Sequence, residues 1–304
     1  MFKLGFLSAI LPGYSYEQII DFASDNKFEC VEMCCWPKGK AARRYAGVTH
    51  IDLDDLDEAK MEHYLDYAAK KGVVISSLAY YPNALSANKE EADTAVEHIK
   101  KLIVASGEMG VGMITTFIGR DKNKTVEENL DLFEKVWSPI VQMADDHHVK
   151  IGIENCPMSF TVDEWPGGNN LAYAPYIWRE MFKRIPSNNL GFNYDPSHPY
   201  LIGMDYIKPI YEFSEKMFHF HFKDLTILQD KVNEYSRIAY PNLWHAPKLP
   251  GLGDINFPKL CAALYDIKFE GCACIEVEDR AFESCEEDIE RSILLSAHYL
   301  RNFI

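Results

Sequence analysis

Short apolar runs alternate with amphipathic stretches along the whole chain. Eight runs read as strands: 3–9, 28–34, 73–79, 112–118, 150–154, 190–195, 217–222 and 271–277. Each is bounded by turn or charge signals, as buried strands of a parallel sheet tend to be. Between them, apolar positions recur at helical spacing over 15–26, 54–71, 91–109, 125–146, 173–185, 204–215, 256–267 and 285–303. Thr125 followed by Glu128 is a capping-box pattern at the start of the fourth of these helices. Strict alternation predicts a parallel sheet. The count of eight, with no glycine-rich dinucleotide fingerprint after the first strand, predicts a closed (β/α)8 barrel rather than an open sheet. No linker or internal repeat interrupts 1–304, which reads as a single domain. The longer connections, 35–53, 155–172 and 223–255, all follow strand ends, where a barrel builds its active site, and read as lids over one pocket.

Composition narrows the function. Of 304 residues, 47% are hydrophobic, which is globular rather than disordered. Charges or glycines break every apolar stretch well before eighteen residues, so no membrane span is expected. The apolar run 4–11 after Lys3 lacks a small-x-small cleavage site and leads into a helix start at Ser15, so it is not read as a signal peptide. Lys plus Arg number 31 against 46 Asp plus Glu, a net charge of -15 that repels phosphate backbones and argues against a nucleic-acid partner. It favours a neutral ligand, or an anionic one where a metal or local cation offsets the field. Eight cysteines include adjacent Cys34 and Cys35 and alternating Cys272 and Cys274 but no C-x-x-C pair. They read as buried free thiols of a cytoplasmic protein.

The chemistry sits at the strand ends. The fifth strand ends in Glu154-Asn155, the sixth in Asp195-Pro196-Ser197-His198, and the seventh carries His219, His221 and Lys223. The eighth ends in Glu276-Val277-Glu278. Four successive strands thus bring Glu154, Asp195, His221 and Glu276 to one rim. Three carboxylates and an imidazole left together repel and demand protons, and a divalent cation resolves this. Such a donor set suits Mn²⁺, Mg²⁺, Co²⁺ or Fe²⁺ better than a structural zinc. Taken singly, Asp195 also fits a helix N-cap, Glu154 a partner of a nearby lysine, and either histidine a hydrogen-bonded core residue.

These strand ends, with Pro250-Gly251-Leu252-Gly253-Asp254-Ile255-Asn256-Phe257, resemble the sugar isomerase/epimerase superfamily with the xylose-isomerase-like TIM barrel. The likeness covers essentially the whole chain. It implies one divalent metal, Mn²⁺ first and Mg²⁺ or Co²⁺ as alternatives, held by Glu154, Asp195, His221 and Glu276. It implies proton transfer beside the carbonyl of a sugar or keto-sugar through an enediolate, with Glu154 and Glu276 as the acid/base pair and His198 on substrate hydroxyls. It further implies a homo-oligomer or a hetero-oligomer with a small subunit. The ketose 3-epimerases carry a further glutamate shortly after the strand-five ligand, whereas this chain has no acid there until Asp163. The extra histidines of the apurinic-site endonuclease branch are absent at 76–80 and 115–117.

The loop reading Trp244-His245-Ala246-Pro247-Lys248 looks like branches acting on 3-keto sugars, in which the same enolisation expels a group by β-elimination. A lyase on 3-keto-glycosides is therefore the alternative activity, with His245 or Lys223 as its base, and a non-catalytic sugar- or partner-binding barrel is a third reading. Glu32, at the end of strand two, is expected to orient a rim group. His219 shares the face of His221 by the period of two and reads as a substrate contact. Trp36, Tyr80, Phe117, Trp165 and Trp178 offer aromatic faces for sugar C–H groups, although aromatics more often simply pack.

Overall fold

The computed structural model describes residues 2–39, 45–159 and 168–304. Eight parallel strands close into a barrel: β1 (Lys3–Leu7), β2 (Cys30–Cys34), β3 (Val74–Ala79), β4 (Met113–Thr116), β5 (Lys150–Glu154), β6 (Leu190–Tyr194), β7 (Met217–Phe222) and, after a hairpin, β10 (Cys272–Ile275). Their order around the barrel is β1-β10-β7-β6-β5-β4-β3-β2, so the first and last strands of the chain pair and seal it. All eight expected strands are present, and the (β/α)8 architecture follows from them.

The helices between strands are α1 (Tyr16–Asp25), α2 (Glu58–Lys70), α3 (Lys89–Glu108), α4 (Val126–Asp146) and α5 (Pro175–Arg184). After β6 come α6 (Ser197–Leu201) and α7 (Lys208–Glu212), and α9 (Phe257–Asp266) and α10 (Glu286–Leu300) flank β10. The Thr125–Glu128 capping box forms in both directions, and α1 has a second one between Ser15 and Gln18. Each cap satisfies backbone groups that the first helical turn leaves without partners. Among the described residues, no helix is long and apolar enough to cross a membrane.

Two expectations are corrected. The helix read over 204–215 shortens to α7, because Pro209 in its first turn has no N–H to donate and its ring clashes with any preceding turn. The segment 223–255 is not merely a loop. It contains α8 (Gln229–Tyr235) and an antiparallel hairpin of β8 (Asp224–Ile227) with β9 (His245–Lys248), in which Asp224 faces Lys248 and Ile227 faces His245. Lys223 alone separates β7 from β8, so the hairpin grows straight off the rim.

The main core lies between barrel and helices, where Phe133, Trp137, Trp178, Phe192 and Phe220 are fully buried. Trp178 packs edge-on against Phe192, with ring centroids 5.0 Å apart. It is core, not a sugar-stacking face. Trp165 and Asp163 lie outside the described residues.

Candidate metal centre and substrate cavity

Parallel strands of a barrel all end on one face, so their last side chains converge. Glu154 closes β5, Asp195 follows β6, His221 is the penultimate residue of β7 and Glu276 follows β10. One donor atom from each lies within 4.8 Å of the others. Asp195 and His221 are fully buried and Glu154 nearly so. His221 Nδ1 sits 3.3 Å from Glu276 Oε2 and 3.8 Å from Glu154 Oε2. Asp195 Oδ2, His221 Nδ1 and Glu276 Oε2 are buried and make no hydrogen bond. Although His198 and Lys223 lie at ion-pair distance from the two oxygens, three buried donor atoms that face one another without a formed hydrogen bond are what a cation would satisfy. The oxygen-rich set with one imidazole suits a hard or borderline divalent ion. The residues present therefore fit a bound metal.

The charges agree with this geometry. Burial on its own would raise the Glu154 carboxyl and depress the His221 imidazole. The neighbouring His198 and His221 hold Glu154 well below the usual carboxylate range, and Glu32, Glu276 and Glu154 hold His221 well above the usual imidazole range. The cluster thus keeps the Glu154 carboxylate ionised and draws positive charge to the His221 ring. His198 bridges two of the carboxylates, with Nε2 at 3.1 Å from Glu154 Oε1 and 3.2 Å from Asp195 Oδ2.

Around this cluster lies a cavity of about 580 Å³. One wall is apolar, built by Leu7, Ala9, Cys34, Trp36, Tyr81 and Phe117 from the ends of β1 to β4. The facing wall carries Lys223, His245, Lys248, Glu278 and Asp279 from the hairpin and the loop after β10, with Glu154 and Glu276 between. Lys223 is almost fully buried and lies 3.3 Å from Glu276 and 2.6 Å from Glu278. Burial would lower its ammonium, but these carboxylates outweigh burial and hold it well above its usual value. With two carboxylates beside it the charged form of Lys223 is favoured, which weighs against the base expected of it. His245 is the opposite case. Burial lowers its imidazole, and Nδ1 lies 2.7 Å from the Pro241 carbonyl oxygen. A carbonyl only accepts, so Nδ1 carries the hydrogen and Nε2 is left as the basic nitrogen.

The remaining candidates divide clearly. Trp36 and Phe117 line the cavity. Tyr80 does not. It packs against Trp36 and His98, and its neighbour Tyr81 takes the place in the wall. Tyr81 shares the inward parity of Ser77 and Ala79, whereas Tyr80 shares the outward parity of Leu78, so the period of two favours Tyr81. His219 is corrected likewise. It lies a strand step below the rim and is fully buried, with Nδ1 at 2.9 Å from Asn193 Oδ1 and Nε2 at 3.0 Å from Ser76 Oγ. It is the hydrogen-bonded core histidine, not a substrate contact.

Glu32 is inside the barrel beneath the cavity, fully buried. A register shift between Val31 and Glu32 in the pairing with β3 marks where β2 bends. Its carboxylate accepts from Thr115 Oγ1 at 2.6 Å and from the Tyr81 hydroxyl, and meets His221 Nε2 at 2.7 Å. Burial would raise this carboxyl, but His221, His219 and the Thr115 hydroxyl outweigh it and hold it down at about 2.

The chain belongs to the xylose isomerase-like TIM barrel family, whose model matches residues 20–302. An uncharacterized protein of Methanocaldococcus jannaschii is 27% identical over 199 residues, 64% of this chain and 60% of that protein, so the match spans under two thirds of the relative. The D-psicose 3-epimerase of Clostridium cellulolyticum H10, solved with D-tagatose, is similar over 99% of both chains, with a TM-score of 0.72 and 15% identity. The 3-keto-D-glucoside 4-epimerase YcjR of E. coli is similar over 99% of this chain and 100% of its own, with a TM-score of 0.70 and 14% identity. At these identities the likeness concerns the fold.

Proposed function

We propose that the protein is a divalent-metal-dependent epimerase or isomerase of a sugar or keto-sugar, working by proton transfer beside a carbonyl. The observation that carries this is the convergence of Glu154, Asp195, His221 and Glu276 at the base of the cavity, with three of their buried donor atoms lacking hydrogen bonds. These four residues would hold the ion, with Mn²⁺ first and Mg²⁺ or Co²⁺ as alternatives. When bound, the cation would polarise a carbonyl and acidify the adjacent C–H. That two similar folds are named as epimerases of a ketose and of a keto-glucoside supports the substrate class.

The chain's own residues supply the rest. Glu154 and Glu276 both line the cavity. One, as carboxylate, takes the proton beside the carbonyl, and the other, entering the cycle as the carboxylic acid, gives its proton to the opposite face; a proton passed back between them through solvent resets the pair. Lys223, held by Glu276 and Glu278, places a fixed positive charge where negative charge develops on oxygen. His198, buried between Glu154 and Asp195 and outside the cavity lining, orients the first of these carboxylates rather than meeting substrate hydroxyls. Proton NMR in D₂O, with Mn²⁺ and a panel of free ketoses and 3-keto-glucosides, tests the reading. Deuterium entering beside the carbonyl with the skeleton intact supports it. No exchange by protein that has bound Mn²⁺ overturns it for these sugars and favours a binding barrel.

His245 favours a second reading, a lyase on 3-keto-glycosides. A neutral imidazole with a free basic nitrogen in the cavity wall supplies a base beyond the glutamates, which expulsion of a group by β-elimination can use. Release of the aglycone in the same experiment distinguishes this outcome.

A further inference from the structure

We infer that Glu32 is the positioning residue of the metal centre: its carboxylate fixes the His221 ring so that Nδ1, and not Nε2, presents a lone pair to the cation. The inference rests on the metal reading above and concerns a residue that touches neither substrate nor ion.

The argument is one of donors and acceptors. An imidazole that binds a cation must offer a nitrogen without hydrogen, and the hydrogen must then sit on the other nitrogen. His221 Nε2 lies 2.7 Å from Glu32 Oε2. An ionised carboxylate only accepts, so this pair requires the hydrogen on Nε2. The Asn193 amide nitrogen also lies 3.0 Å from Nε2, but one of its two hydrogens goes to the Tyr81 hydroxyl at 3.0 Å, and the charged Glu32 oxygen at 2.7 Å is the shorter and stronger partner of the ring nitrogen. Nδ1 is thereby the nitrogen whose hydrogen a cation would replace, and it is this atom that faces Glu276 and Glu154 without a hydrogen bond.

Glu32 is itself held. Thr115 and Tyr81 donate to Oε1, leaving Oε2 for His221. Two rotatable donors on one oxygen fix the plane of the carboxylate, and the carboxylate fixes the plane of the ring. The cluster of Glu32, His219 and His221 brings three donor types together, yet it is not a second metal site. Both His219 nitrogens are already engaged, by Asn193 and Ser76. Burial excludes any role for Glu32 on the substrate. A carboxylate behind a ligating histidine raises the ligand's basicity and locks its orientation, and losing such a partner typically weakens metal binding 10–100-fold.

The test measures Mn²⁺ affinity by calorimetry and Mn²⁺ EPR in the wild type and in Glu32→Gln, below the melting temperature of both. The expected result is a dissociation constant about 10–100-fold higher in Glu32→Gln, with unchanged near-UV circular dichroism. Equal affinity in the two proteins overturns the inference and leaves the metal centre standing. No Mn²⁺ binding by the wild type overturns the metal reading and the inference with it. If Glu32→Gln does not fold, the wild type decides alone. Selective ¹⁵N-histidine labelling with Zn²⁺ should show His221 bound through Nδ1 with a hydrogen on Nε2. Binding through Nε2 would sink the idea.

Discussion

The Asp224 carboxylate fills the space a side chain on Gly253 would need. A Cβ built at Gly253 meets Asp224 Oδ1 at 2.2 Å and the Leu225 carbonyl oxygen at 2.5 Å. The carboxylate is buried and accepts the backbone N–H groups of Leu225, Gly251, Gly253 and Ile255 at 2.8–3.0 Å. The motif Pro250-Gly251-Leu252-Gly253-Asp254-Ile255 is thus wrapped around one aspartate at the root of the hairpin, and that hairpin carries His245 and Lys248 into the cavity wall.

Gly253→Ala should therefore act twice. With backbone among the atoms it would strike, the new methyl has to push the loop off Asp224, at a cost of about 1–3 kcal/mol by the usual scale of overpacking. It should also raise KM, because the hairpin shifts with the loop. Thermal melts and steady-state kinetics read the two effects, and a variant with wild-type melting temperature would show that the loop is looser than its packing implies.

Glu276→Gln removes a ligand charge while keeping shape. Turnover should vanish and Mn²⁺ binding should weaken, with the circular dichroism of the fold unchanged. Full activity in this variant would remove Glu276 from the ligand set.

The buried Glu32 makes an acid prediction for the metal-free protein. Its carboxyl is held at about 2 against an ordinary 4.5. A depressed folded-state value means the ionised form stabilises the fold. That contribution is fully present above pH about 4.5 and is lost as pH falls toward about 2. Its ceiling is on the order of 3 kcal/mol. Melting temperature against pH should fall through that window in the wild type and fall less steeply in Glu32→Gln. Parallel curves would show that other carboxylates carry the acid sensitivity.

His245 separates the two activities. Its imidazole is depressed below the ordinary 6.5 by burial, so it stays neutral and basic into mildly acidic solution. If it is the base of an elimination, His245→Asn should lose aglycone release while keeping Mn²⁺ binding and deuterium exchange. Equal loss of both signals would instead make it part of the common proton transfer.

Much of this was legible in the residues. The strands announce themselves as apolar runs, and the four donors sit directly at strand ends, where the barrel's geometry makes convergence automatic. What was not legible depends on how deep a side chain lies and on contacts far apart in sequence. His219 and His221 share a face by parity, but only the closed barrel shows that one meets the cavity floor and the other Ser76. Tyr80 and Tyr81 were separable by parity, since Tyr81 continues the inward face of Ser77 and Ala79 while Tyr80 continues that of Leu78. The β8–β9 hairpin has strands of four residues, one with Pro247 inside, and so lacks any local β signature. The two strands pair through their own ladder, and Asp224 ties its root to Gly251 and Gly253, a contact that no short window of sequence contains.

The two walls of the cavity come from different parts of the chain. Ligands and charged groups arise from β5 onward, whereas the apolar wall comes from β1 to β4, and the main strut joining them beneath the floor is Glu32 against His221. Reactivity and fit are therefore separately adjustable. Substitutions at Leu7, Ala9, Trp36 or Phe117 can reshape what is admitted without disturbing a single ligand. A lineage built on this plan can wander among substrates while its chemistry stands still.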